Sequence, residues 1–327
     1  MITATIPGIH HITAIASDPQ RTLDFYTQVL GLRLVKLTVN FDDPGTYHLY
    51  FGNAEGSPGS ILTFFPWPGV RRGTVGNGQV SATAFAVPPD ALEFWRSRLD
   101  ERRIPASSAG TRFGETVLRF ADPDGMPVEL VATSGADPRR GWHGTSIPPA
   151  HAICGFHSAT LSEEGYERTA ALLQDAMGLR FVGSEGNRFR YAAAGAVVSA
   201  IVDVVCAPDG PTGRLGAGTV HHIAWRTPDA AQQRLWRETL VQGGYNVSPV
   251  MDRAYFHSIY FREPGGILFE IATDPPGFAT DEAGDHLGER LMLPPWLEPQ
   301  RSVVERTLPP LTLPVGATFP ATQPGRA

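Results

Sequence analysis

The chain has 327 residues, 42% apolar and 18% charged, with a formal charge of −6. That length exceeds one small core and suits two domains of ordinary size or four smaller paired units. The acidic balance and the lack of a dense Lys/Arg cluster argue against nucleic acid or an anionic membrane surface as partner; no run of eighteen apolar residues spans a membrane, and the opening "MITATIPGIHHIT" lacks the basic and apolar regions of a signal peptide. Cys154 and Cys206, the only cysteines, make no disulfide framework and read as buried thiols in a reducing cytoplasm.

Along the chain, one unit recurs four times. "GIHHITAIA" (8–16) is an apolar run headed by a His–His pair, and it reads as a strand. "PQRTLDFYTQVLGL" (19–32) follows with Leu23, Phe25, Tyr26, Val29 and Leu30 at three- and four-residue steps, which predicts a helix stopped by Gly31. "YHLYFG" (47–52) predicts a strand before a last hairpin, and "SPGSILTFF" (57–65) closes the unit at about residue 67. Unit two runs over 80–133, from "VSATAFAV" to "VELVAT", where Glu129 falls six residues after Pro123. A Gly-, Pro- and charge-rich stretch at 135–152 reads as a linker. Unit three covers 155–206, from "GFHSAT" to "AIVDVVC". Unit four covers 219–274: it opens with a second pair in "TVHHIAWRT" and ends on "EPGGILFEIATD", with Glu270 six residues after Pro264. Each unit reads strand, helix, then several strands. The expected division is an N-terminal domain over 1–134, the linker over 135–152, a C-terminal domain over 153–274 and an extension over 275–327. Within that extension "LMLPPWLEPQR" predicts a short helix and packing on the body, and the Pro-rich end predicts extended or disordered chain.

The strand-borne histidines and acids are the candidate site. Unit one offers the pair His10–His11 and has Phe64 six residues after Pro58; unit two has Ala82 and Glu129; unit three has His157 opposite His10 and Ser158 opposite His11; unit four has His221–His222 and Glu270. Side chains alternate along a strand, so one histidine of each pair can face a shared cavity, and alternation alone does not choose which. Backbone hydrogen bonding explains one such pair. Two pairs at matching points, with an acid at a matching strand end, form a convergent constellation.

"HHIT", "DFYTQVLGLRLV", "YHLYFG", "HHIAW" and "EPGGILFEIATD" together resemble the vicinal-oxygen-chelate (glyoxalase/bleomycin-resistance/dioxygenase) superfamily, and within it the hydroquinone-type ring-cleaving dioxygenases. The resemblance implies an α+β fold of four βαβββ modules in two paired curved sheets. It points to His11, His222 and Glu270 as the metal set, leaving units two and three as scaffold. Two imidazoles and one carboxylate are the set used by non-haem Fe(II) oxygenases, with Mn(II) compatible. The implied activity is ring cleavage of a hydroquinone- or catechol-like aromatic with O2 as co-substrate. Phe64, where a fourth ligand could stand, favours oxygen chemistry over a glyoxalase-type lyase or isomerase. The retained ligands count against a non-enzymatic aromatic-binding resistance protein. "DRAYFHSIYFRE" resembles the segment in which an Arg and a Tyr flank the site, here Arg253 and Tyr260. His10 and His221 are candidate acid–base or orienting groups. His48, His157 and His257 read as structural, and Glu129 as a remnant or a surface-paired acid. The implied partner is a small aromatic substrate, and the tail after 274 leaves a homo-oligomer open.

Overall fold

The structure is a computed structural model describing residues 5–137, 141–194 and 199–313. The Pro-rich end expected to be extended or disordered lies outside these residues from 314 on. Module one contains β1 (Ile9–Ala16), α1 (Pro19–Asp24), β2 (Arg33–Asn40), β3 (Asp43–Gly52) and β4 (Ile61–Pro66). Module two contains β5 (Gln79–Val87), α2 (Leu92–Glu101), β6 (Ser107–Arg112), β7 (Glu115–Ala121) and β8 (Pro127–Ala132). Module three contains β9 (Phe156–Glu163), α3 (Glu167–Ala171), β10 (Arg180–Glu185), β11 (Arg188–Ala192) and β12 (Ile201–Cys206). Module four contains β13 (Thr219–Thr227), α4 (Ala230–Gln242), β14 (Met251–Asp252), β15 (Phe256–Arg262) and β16 (Leu268–Pro276).

Local chemistry sets the helix starts. Asp18 accepts the Arg21 N–H at 2.8 Å and Asp229 accepts the Gln232 N–H at 2.8 Å, each satisfying a donor that the first turn leaves open; such a cap contributes about 1 kcal/mol. The helix expected to run on to Gly31 widens into a π-turn over Phe25–Val29, with Leu30 N–H bonded to the Phe25 carbonyl. Module three does the same over Leu172–Ala176. Gly31 ends the first helix at φ +69, and a Cβ there would lie 2.4 Å from Ile147 of the linker. A side chain there would be strained at that φ and would require Ile147 to shift.

The strands form two eight-stranded sheets, β14-β15-β16-β13-β1-β4-β3-β2 and β10-β11-β12-β9-β5-β8-β7-β6. The halves 1–134 and 153–274 are therefore not the sheet-forming units, because each sheet takes one module from either side of the linker. The joining strands are the first of each module: β1 lies antiparallel to β13, and β5 to β9. Connectors between modules also pair, through bridges Arg72–Ala217, Thr74–Arg214 and Asn77–Thr212, which tie the sheets together. One apolar core runs through all four modules and includes Trp95, Trp225 and Trp236.

The C-terminal extension packs on the first sheet. The Met292 N–H bonds the Leu37 carbonyl of β2 at 2.9 Å, and α5 (Arg301–Thr307) follows. Fully buried Lys36 on β2 bonds Asp281 and Glu282 of this segment. Cys154 is buried, whereas Cys206 is only half-buried at the end of β12, contrary to the expectation for both. No helix among the described residues is long and apolar enough to cross a membrane.

Candidate metal centre

Joining β1 to β13 brings together residues that are more than two hundred positions apart. His11 leaves β1, His222 leaves β13, and Glu270 leaves β16, which runs parallel to β13. One ligand atom of each lies within 4.8 Å of the others, and all three side chains are buried. Glu270 Oε2 sits 2.9 Å from His222 Nε2 and 3.4 Å from His11 Nε2, and its Oε1 accepts the Ser258 hydroxyl.

The outer nitrogens of the two rings are held from behind. His11 Nδ1 is 2.9 Å from His10 Nδ1, and His222 Nδ1 is 2.8 Å from His221 Nδ1. Of the first histidines, His10 is turned away from the cavity whereas His221 lines it, and each ring touches the second histidine of its pair. If His11 and His222 present bare Nε2 lone pairs, their Nδ1 protons donate to His10 and His221. Burial lowers the pKa of His222 and, with His11 beside it, that of His10, and it pushes His221 down to about 3, so these rings favour the neutral form. Burial would raise Glu270, but charge on His11 and hydrogen bonds from His11 and His222, when those rings carry a proton at Nε2, outweigh it and hold the carboxyl well below its usual range.

This donor set fits a cation. Glu270 Oε2 is a buried oxygen with no hydrogen-bond partner, faced by two nitrogens that lie too close for lone pairs to meet unaided. A positive ion bound by all three removes that repulsion. A cavity of about 370 Å³ opens in front of the set, walled by Phe65, Trp67, Phe256 and Tyr50.

The sequence profile of the Glyoxalase/Bleomycin resistance protein/Dioxygenase superfamily matches residues 8–130 and 155–271. The chain belongs to that superfamily. It is 52% identical over 303 residues, covering 93% of this chain and 96% of the relative, to the Bacillus subtilis (strain 168) protein named "Putative ring-cleaving dioxygenase MhqO". It is 35% identical over 312 residues, with 93% and 96% coverage, to the chlorohydroquinone/hydroquinone 1,2-dioxygenase of Sphingobium indicum. A crystal structure of a "putative dioxygenase" from Bacillus subtilis subsp. subtilis str. 168 matches with a TM-score of 0.92 at 50% identity, covering 95% of this chain and 99% of that one. The two sheets are the glyoxalase/extradiol dioxygenase architecture of this superfamily.

Strand register identifies the equivalent positions in all four modules. Glu270 pairs with Ala224, two residues after His222. In module one the same step from His11 gives Thr13, which pairs with Thr63 rather than Phe64. Phe64 points to the other face and packs on Tyr26 and Phe51, so the equivalent of Glu270 is Thr63. In module two the place belongs to Glu129, as expected, and in module three to Asp203. Glu129 is buried and paired with Arg112, not surface-paired. Asp203 is gripped by Arg190 at 2.8 Å and Arg188 at 3.0 Å. In the second sheet each acid at this place has an arginine. Glu270 instead has two histidines and the Ser258 hydroxyl and, among the described residues, no arginine, which leaves its charge open to a cation.

Tyr260 pairs with Glu270 across the strands, and its hydroxyl accepts from Arg253 Nε at 3.2 Å. Burial, with the Glu270 charge, raises the Tyr260 pKa, so the hydroxyl keeps its proton. Arg253 sits in the β14–β15 turn beside Ala254, whose φ of 64 lies in the left-handed region and whose N–H is held by Asp252 at 2.8 Å. His157 is buried between Glu115 and Ser158, and His257 has its backbone N–H on Thr273. His48 does reach the cavity, bonded to Thr63 at 2.8 Å and Tyr50 at 2.9 Å. Sequence reasoning missed Ser258, which shares a strand face with Tyr260 at a step of two; that period was the available signal.

Proposed function

We propose that this chain is an Fe(II)-dependent ring-cleaving dioxygenase that opens a hydroquinone- or catechol-like ring with O2, the metal being held by His11, His222 and Glu270. One observation carries the reading: two imidazoles and one carboxylate converge at a buried wall of an aromatic cavity, with no fourth ligand in the group among the described residues. Three protein donors leave positions for a substrate oxygen and O2 side by side. A bound Fe(II) would supply acidification of the phenol and orientation of both reactants.

The protein groups around it have definite parts. Phe65, Trp67 and Phe256 exclude water and take the faces of the ring. Tyr260 keeps its proton and can donate it in a hydrogen bond, and Arg253 places positive charge beside that hydroxyl. His221 lines the cavity and, accepting at Nδ1 from His222, offers Nε2–H as a donor rather than acting as a base. His10 lies behind His11, against Phe256, and orients the ligand ring. An isomerase of the glyoxalase kind would be better served by a fourth ligand, and Thr63 at that place is bonded instead to Thr13 and His48.

The test is oxygen uptake by anaerobically Fe(II)-loaded protein given hydroquinone and catechol side by side. Uptake with ring-opened product is expected, and His222→Ala should lose both bound iron and turnover. No uptake with either compound overturns the reading; a fully active His222→Ala protein overturns the ligand set.

A further inference from the structure

The metal cavity has a larger neighbour. A cavity of about 590 Å³ lies where the two sheets meet, walled by the loop after β9, the connectors at 77–80 and 212–215, the start of β13 and the β15–β16 turn. Its mouth is open to solvent, where Leu215 is 52% exposed. His221, His222 and Leu268 line both cavities. The triad sits close to this junction. Leu268 is two residues before Glu270 on β16, so their side chains share a face; Leu268 pairs with Arg262 as Glu270 pairs with Tyr260. Arg262 ends β15 and lines the larger cavity, whereas Arg253, in the turn before β15, meets Asp42 at the outer rim of the metal cavity. The two openings therefore lie at opposite ends of a seven-residue strand, about 20 Å apart. His221 and Leu268 are partly exposed, while His11, His222 and Glu270 are buried.

We propose that this inter-sheet cavity is the route by which O2 reaches the triad behind a bound ring, with Leu268 and His221 as its inner constriction. This rests on the ring-cleaving reading above. A ring held at the triad between Phe65, Trp67 and Phe256 stands across the way in from the Asp42–Arg253 rim. The side of the triad that Leu268 covers stays clear of the ring, and one side-chain step along β16 leads from there to the larger cavity. The lining suits a neutral molecule. Its acids, Glu164 and Glu167, are matched by its arginines, Arg168 and Arg262, so it draws neither anions nor cations. Leu215, Val220, Ile267 and Leu268 add apolar surface, which a nonpolar gas prefers to water.

Nitric oxide tests the route without turnover. It is a neutral diatomic that binds Fe(II) with a change in absorbance, and it cannot supply the two oxygen atoms that ring cleavage needs. Its association rate is measured by anaerobic stopped flow on Fe(II)-loaded wild type, Leu268→Trp, Leu268→Ala and Leu215→Trp, with and without saturating hydroquinone. With the ring bound, Leu268→Trp should slow association about fivefold or more, and Leu268→Ala should speed it. Without the ring, all four proteins should agree within about twofold, because the rim is then open. Leu215→Trp narrows the exposed mouth and does not line the metal cavity. It should slow the ring-bound rate while leaving hydroquinone affinity within about twofold of wild type, and it keeps the test decisive if Leu268→Trp does not fold. Ring-bound rates that ignore these substitutions, or equal slowing with and without the ring, overturn the proposal. If nitric oxide follows this route but no oxygen is consumed, the dioxygenase reading fails while the route stands. If oxygen is consumed and nitric oxide ignores the variants, the route alone fails.

Discussion

Ser258 allows the candidate centre to be tested without deleting a donor atom. Its hydroxyl holds Glu270 Oε1 and so turns Oε2 toward the two imidazoles. Ser258→Ala frees the carboxylate to rotate, and losses of this kind cost about 10- to 100-fold in metal affinity. Competition with a chelator should show that drop with the fold unchanged; affinity within twofold of wild type would make Ser258 a packing residue. At this scale the sequence was legible where a residue repeats and illegible where a neighbour decides. The two His–His pairs announce themselves. Counting six residues from a Pro-Gly turn does not give strand register, because turn lengths differ between modules. That is how Phe64, a core residue on the opposite face, stood in for Thr63. It is also how Asp203 escaped notice, since its role depends on arginines brought in by a neighbouring strand.

At the scale of elements, strand–helix–strand order follows from apolar period and turn residues, but the contacts between modules do not. Glu163 at the end of β9 and Glu263 just after β15 come from different sheets, and both are buried. Glu263 is satisfied by the N–H groups of Gly265 and Ile267, each at 2.8 Å, and by the Thr169 hydroxyl at 2.6 Å. Neither oxygen of Glu163 has such a donor, and its carboxyl lies so near Gly265 that a Cβ there would sit 2.7 Å from it. Burial, reinforced by the Glu263 charge, pushes the Glu163 carboxyl up to about 8. Unfolded, it loses its proton in the ordinary carboxyl range. Between that range and about pH 8 the folded state binds the extra proton, so stability falls as pH rises across this window. Glu163→Gln keeps a neutral side chain at every pH. Its urea midpoint should exceed that of wild type by a margin that grows between pH 5 and 8 and then levels off. Parallel curves would show that Glu163 does not titrate in this way.

For the whole molecule, the decisive feature is that modules one and four share a sheet while modules two and three share the other. The linker suggested two consecutive halves; the histidine pairs, at opposite ends of the chain, pointed instead to a site that joins those ends. The structure reconciles them, since each half supplies one module to each sheet. A chain cut in the 135–152 linker would therefore leave His11 on one fragment and His222 with Glu270 on the other. The N-terminal fragment would expose the β13-facing edge of β1 and the β9-facing edge of β5, both apolar and unpaired. Neither fragment alone should hold iron tightly, because one imidazole, or one imidazole and a carboxylate, makes an incomplete set. Mixing the fragments should restore the sheets and, with them, close to one iron per pair. Tight stoichiometric iron on either fragment alone would show that the ion does not depend on the β1–β13 junction, and the centre would have to be sought on residues of that fragment.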